Sequence, residues 1–273
     1  MALPEAAAAR RLRHWKALFS VFLQDGLAYR AQGLIWILTD VSLAVTMPLV
    51  WIAAAKGGTI HGFAAGDFVL YYLCVLMLSQ FVQSHFMWDV AFEIKEGVFS
   101  AQIIRPINWL EFMVVRNFTW RCIRVVLFLP WFVLFVVLYS GYLETSGLFL
   151  GWQFWLSVVL GHSVSVMTVL AMALIALFVH EAYSIFELYY LPMLFLSGQL
   201  FPIAMYPQWA QTLADWLPFY YTVGAPTEML VGRVPVGDMG RILLLQAVWV
   251  VVMYLAFRVM WRLGLRQYTG VGM

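Results

Sequence analysis

Stretches of about 20 residues that carry almost no charge recur along this chain, and they decide its class before any other feature does. They fall at Leu34–Ala55, Phe68–Val90, Val125–Tyr142 and Trp152–Val179. A fifth begins near Ile185 and loses its helical character around Ser197-Gly198, and a sixth covers Ile242–Met260. A helix crosses roughly 30 Å of hydrocarbon with about 20 residues at about 1.5 Å each, so these segments read as six spans. Burying them all inside one soluble domain is not feasible. The chain is 64% hydrophobic and 11% charged, where soluble domains carry roughly 45–50% and about 25%. The expected fold is an all-α integral membrane protein with six transmembrane helices.

What flanks the spans sets their direction. Arg10, Arg11, Arg13 and Lys16 precede a short apolar stretch that ends at Gln24-Asp25 with no small-residue cleavage site, unlike a signal peptide. Leu12, Trp15, Phe19, Phe22 and Leu23 share one helical face, opposite Arg13, Lys16, Ser20 and Gln24. Residues 1–33 therefore read as an amphipathic interfacial helix on the cytoplasmic surface, retained in the mature protein. With the N-terminus inside, thirteen of the Lys and Arg residues fall in inner segments and three, Lys56, Arg233 and Arg241, in outer ones. The positive-inside rule then places both termini in the cytoplasm. One transmembrane domain is expected over 1–273, with the spans in 34–263 and a basic tail at 264–273. Cys74 and Cys122 lack metal or redox spacing and read as small hydrophobes.

Polar residues inside apolar spans mark either packing glue or a path for a polar group. Asp40 and Thr39 sit in span one, with Gln80, Gln83 and Ser84 at helical spacing on one face of span two. His162, Ser163, Ser165 and Thr168 lie in span four, and Gln246 in span six. Asp40, Gln80, Gln83 and His162 are the candidate translocation path, the alternative for each being interhelical hydrogen bonding. His162 reads more readily as a packing histidine than as a metal ligand, having no second His or Cys a turn away. Arg116, Arg121 and Arg124 lead into span three, where they read as headgroup-snorkelling cations or as a latch onto a partner.

Two segments between spans carry more pattern. The first, Glu93-Ile-Lys-Glu-Gly97 followed eight residues later by Arg105-Pro106, joins spans two and three on the inner side. Its bland reading is a connecting loop. The second holds Ser197-Gly198-Gln-Leu-Phe201-Pro202, then Pro207, Pro218-Phe219-Tyr220-Tyr221, Pro226-Thr-Glu228 and Gly232. Gly198 and Pro202 break span five and free backbone groups that lipid cannot satisfy, so this segment must pack on protein or re-enter from the outer side.

Both segments, in this order, resemble the permease subunits of type-two ABC exporters, and Gly264-Leu-Arg-Gln-Tyr268 is similar to the tail of a bacterial six-span subfamily. The resemblance covers nearly the whole chain. It implies a cytoplasmic coupling helix, with Glu93, Gly97, Ile103, Arg105 and Pro106 docking on an ATP-binding subunit. It also implies an outer re-entrant gate containing Gly198, Phe201, Pro202, Pro218, Phe219, Tyr220 and Glu228. The implied role is a non-catalytic permease in a bacterial plasma membrane. It would pair with a second permease and two ATP-binding subunits, surrounded by lipid and independent of nucleic acid, to export a substrate by alternating access. The sequence itself has no G-x-x-x-x-G-K-[ST] loop, so no cofactor or metal is expected in this chain, and ATP and Mg belong to the partner. Two alternatives stay open on residues alone. One is a proton- or sodium-coupled secondary transporter, for which Asp40 and Glu187 are the few available acids. The other is a membrane-embedded transferase, suggested only by His180-Glu181.

Overall fold

A computed structural model describes residues 3–143 and 147–270, without the side chains before Leu12 and those of Arg30, Gln32, Trp36, Asp40 and Ala44. The candidate path residue Asp40 therefore has its side chain outside the described residues. Those described are helical almost throughout, the exceptions including one β-bridge between Ile60 and Phe63. The protein is an all-α integral membrane protein.

Helices α1 (Leu3–Ala28) and α2 (Arg30–Ala55) are separated only by Tyr29. The apolar face of α1 is partly used within the chain. Phe22 meets Phe112 edge-on at 5.0 Å, Phe19 lies 6.4 Å from Phe118, and Trp15 donates to Glu111. Leu12 remains exposed. Helix α6 (Trp109–Leu138), which receives α1, merges the half-polar approach and span three into one helix containing Pro130. Helix α7 (Trp152–Ala173) is extended by a 3₁₀ turn to Leu177 and packs along α11 (Val236–Gln267).

Among the described residues, five segments are long and apolar enough to cross a bilayer: Gly33–Ala55, Ala65–Lys95, Trp109–Leu138, Trp152–Leu177 and Val236–Gln267. The fifth span expected from sequence is α8 (Ala182–Leu196), an apolar helix of 15 residues. At 1.5 Å per residue it covers about 22 Å, short of the roughly 30 Å hydrocarbon core.

Span two is not one continuous helix. Helix α3 (Ala65–Val82) stops where Gln83 turns extended (φ −81°, ψ 131°), and α4 (Met87–Lys95) resumes after Phe86. Gln83 and Ser84 therefore lie in a break and do not share a helical face with Gln80. The cause is local chemistry: Ser165 and His162 of α7 meet the Ser84 N–H and the Val82 carbonyl, backbone groups that an uninterrupted helix would have used.

The inner arginines also differ from a simple snorkelling picture. Arg121 and Arg124 are each only 5% exposed, and Arg121 donates to the Gln80 carbonyl at 3.3 Å. Their helix presents them to the interior because α1 and α3 both pack against α6.

Candidate functional site

At one end of the bundle, α4 and the six-residue helix α5 (Val98–Ile103) form an elbow. Gly97 makes the bend at φ +75°, where an L side chain is strained. The elbow is held from inside. Arg116 of α6 forms an ion pair with Glu93 at 2.6 Å. The other Glu93 oxygen accepts from Gln102 at 2.9 Å, and Gln102 in turn accepts from the Trp109 indole at 3.1 Å. Phe99, wholly buried, packs edge-on against Trp109, Trp261 and Tyr268, and the Tyr268 hydroxyl lies 2.8 Å from Ser100 Oγ.

The resemblance grouped Glu93, Gly97, Ile103, Arg105 and Pro106, and the structure divides them. Glu93 and Ile103 face the chain's own core, Gly97 shapes the bend, and Arg105 and Pro106 are exposed at the tip. Ile104 beside them is 82% exposed, an apolar side chain that protrudes from the described residues.

Midway along the bundle, the break in span two collects the buried polar residues. His162 Nδ1 lies 3.1 Å from the Val82 carbonyl, and its Nε2 is 3.3 Å from Asn117 Nδ2. Ser84 donates its backbone N–H to Ser165 Oγ (2.9 Å) and its hydroxyl to Asn117 Oδ1 (3.1 Å). Gln80 is wholly buried, and Gln83, 5% exposed, points its amide at Met193 Sδ. Gln83, Ser84, His85 and Ser165 border a cavity of about 10 Å³, room for about one water. Of the candidate path residues, His162 joins Ser84 through Asn117, Gln83 borders the cavity, and Gln80 contacts Ser79 and accepts from Arg121 through its carbonyl.

At the far end, tyrosines of α3 hold the segment after α8. Tyr71 donates to the Gly198 carbonyl at 2.7 Å and Tyr72 to that of Leu200 at 2.8 Å. Trp51 of α2 donates to Tyr72, stacks on Phe68 and meets Phe201 edge-on. Gly198 has φ +79°, and a Cβ there would fall 2.8 Å from the Tyr71 hydroxyl. The chain continues through buried Pro202 to α9 (Gln208–Trp216), buried Pro218 and a π-helical turn over Tyr220–Gly224. Helix α10 (Ala225–Leu230) then packs against α3 and α7. A π-turn frees carbonyls, and Gln246 of α11 donates to the one at Tyr221 at 2.9 Å as well as to that of Ser157. Phe219 packs on Tyr189 of α8. Tyr220 donates to Glu228 at 2.7 Å. Burial raises the Glu228 pKa to about 7, against the opposing pull of the Tyr220 hydrogen bond and of Arg233, while Asp215 adds to the rise.

Residues 41–272 match the model of a family described as ABC-2 family transporter protein. The chain belongs to the ABC-2 transporter family. No protein of curated function matches its sequence. Membership makes it a multi-pass membrane protein and the permease component of an ABC transporter, a class of subunit that associates with ATP-binding subunits.

Several residues that organise this ABC-2 permease carried no sequence signal strong enough to single them out. Gln102, Tyr71 and Tyr72 look like ordinary members of mixed or aromatic helices until their partners, distant in sequence, are in place. Asn117 had a signal, an amide in an apolar helix, but its partners, Ser84 in the break and His162 on α7, come from the fold.

Proposed function

We propose that this chain is the permease of an ABC exporter and that the α4–α5 elbow is the surface on which an ATP-binding subunit docks. The observation that carries the reading is the exposed Ile104-Arg105-Pro106 tip, fixed from behind by the Glu93–Arg116 pair. An apolar residue beside a cation at the end of a braced elbow suits a groove with an apolar floor and an acidic rim. Movement of the ATP-binding pair pushes the tip, and the brace passes it to α4 and α6. Because α4 continues span two beyond its break, the polar network around Ser84 is where the two halves of that span bend relative to each other.

In this reading the domain is 1–273, α8 serves as a short sixth span, and both termini are cytoplasmic in a bacterial plasma membrane. Two permeases, alike or similar, pair with two ATP-binding subunits that hold ATP and Mg, and no cofactor resides in this chain. The segment Gly198–Glu228 acts as a re-entrant outer gate, opening when the elbow closes. Gln80, Gln83 and His162 border the path.

The test is co-purification with the separately encoded ATP-binding subunit, followed by ATPase measurement. Arg105→Ala and Ile104→Asp should weaken the complex. Glu93→Ala should leave the complex intact while lowering the ATPase response to the permease. Recovery of no ATP-binding subunit, or indifference to all three changes, would sink the reading.

A further inference from the structure

Helix α9 divides its circumference into three sectors. Ala210 and Ala214 are buried, and Ala214 packs with Ile203, Tyr220, Tyr221 and Ala225. Gln208, Thr212 and Asp215 form an exposed polar sector, with Gln211 beside them. Trp209, Leu213 and Trp216 follow a helical spacing of four and three residues and share the remaining sector. All three are exposed, the two indoles at 71% and 76%. The apolar half of this short helix is therefore split. One part is used by the chain's own core, and the other points outward.

The position of α9 says what meets the outward part. It packs against α8, and Tyr206, just before it, donates to the Phe195 carbonyl of α8 at 3.0 Å. At about 22 Å, α8 is shorter than the roughly 30 Å hydrocarbon core and leaves the turn over 197–206 to cover the remainder. That brings α9 to the level where hydrocarbon gives way to headgroups. A bilayer boundary accepts a helix with one side apolar and the adjoining side wet, because each side meets its own layer. Indole suits that layer, since its ring is apolar and its N–H needs a polar neighbour. On the wet side, Gln211 and Thr212 already donate to the Tyr206 and Gln208 carbonyls.

We propose that α9 lies along the membrane boundary at the far end of the bundle, with Trp209, Leu213 and Trp216 inserted into lipid. The helix is tied to α8 through Tyr206 and to the π-turn through the Tyr221 hydroxyl, which donates to the Asp215 carbonyl at 2.9 Å. Lipid is then a mechanical partner of the segment proposed as the gate. It holds α9 at a fixed depth while the π-turn and α10 enter the bundle. The identity of the leaflet as the outer one, and the link to a gate, rest on the exporter reading; the lipid contact does not.

The experiment uses the full chain in nanodiscs, labelled with the fluorophore NBD at Leu213→Cys or at Thr212→Cys. The signal of the labelled parent, which holds Cys74 and Cys122, is subtracted. Quenchers are aqueous iodide and phosphatidylcholines with a nitroxide at the headgroup, on a shallow acyl carbon or near the chain end. The label on Leu213→Cys should show blue-shifted emission, strongest quenching by the headgroup and shallow nitroxides, and little by iodide. The label on Thr212→Cys should be quenched mainly by iodide. If Leu213→Cys does not fold, Trp216→Cys in the same sector carries the test. Equal iodide quenching of the two labels would put the stripe in water, and strongest quenching from the chain end would put it in the bilayer centre. Quenching by neither would mean that protein covers it, a second copy included. Each of these three results overturns the proposal. Failure of an impermeant maleimide to reach Gly237→Cys in intact cells counts against the topology of the exporter reading and leaves the lipid contact standing.

Discussion

Tyr71 and Glu228 show how much rests on single side chains at the far end. The Tyr71 hydroxyl donates to the buried Gly198 carbonyl, at a residue whose φ of +79° holds the turn after α8. Tyr71→Phe would leave that carbonyl unsatisfied at a cost of about 1–3 kcal/mol. We expect a lower apparent Tm in detergent, and an unchanged Tm would show that the hydroxyl does not hold the segment. Glu228 gives a pH signature. Its folded pKa of about 7 lies above the ordinary 4.5, so the folded chain keeps its proton where the unfolded chain has lost it. Stability contributed by this group is fully present below the unfolded pKa, falls as pH rises toward 7, and is gone above that. Glu228→Gln should flatten thermal stability across that window, and a pH profile matching the parent's would exclude Glu228 as its source. The groups facing Glu228 are Tyr220, Arg233, Asp215 and Tyr71.

Among the elements, the proposed coupling makes the α4–α5 elbow a lever and the break in span two its pivot. The Glu93–Arg116 pair is largely removed from solvent, with side chains 15% and 24% exposed, so it is worth more than a fully exposed pair of about 0–1 kcal/mol. A double-mutant cycle on Glu93→Gln and Arg116→Gln, read as permease-stimulated ATPase, should show strong non-additivity. Additive losses would mean the two residues act separately. The elbow also touches the end of α11 through Phe99–Tyr268 and Ser100–Tyr268, which gives the last helix a direct hold on the same lever. The break itself has every reason to persist in a membrane. Ser165 and His162 meet backbone groups that the end of α3 leaves open, so bending there does not expose those groups to lipid.

For the whole molecule, the direction of insertion is directly measurable. In intact cells, Gly237→Cys at the far end should react with an impermeant maleimide, while Ala101→Cys on the elbow should not, both positions being exposed. The reverse pattern would invert the topology. The membrane class, the approximate spans and the two segments worth examining were legible in the sequence, because hydropathy over about 20 residues is a local property and the bilayer imposes it helix by helix. Span two shows the limit. Its residues are apolar enough for one helix, and Ser165 and His162 on α7 account for the backbone groups freed where it stops at Gln83. Arg121 and Arg124 are alike in this respect: their basic side chains near a span predict a surface, and the packing of α1 and α3 on α6 places them inside. Glu93 reads as a docking residue by motif, and Arg116, 23 positions away, makes it a brace. Sequence alone determined that this chain lives in a membrane and roughly where it crosses. Tertiary structure decided which polar residues meet and which side chains of the elbow face inward or outward, because those depend on partners far apart along the chain.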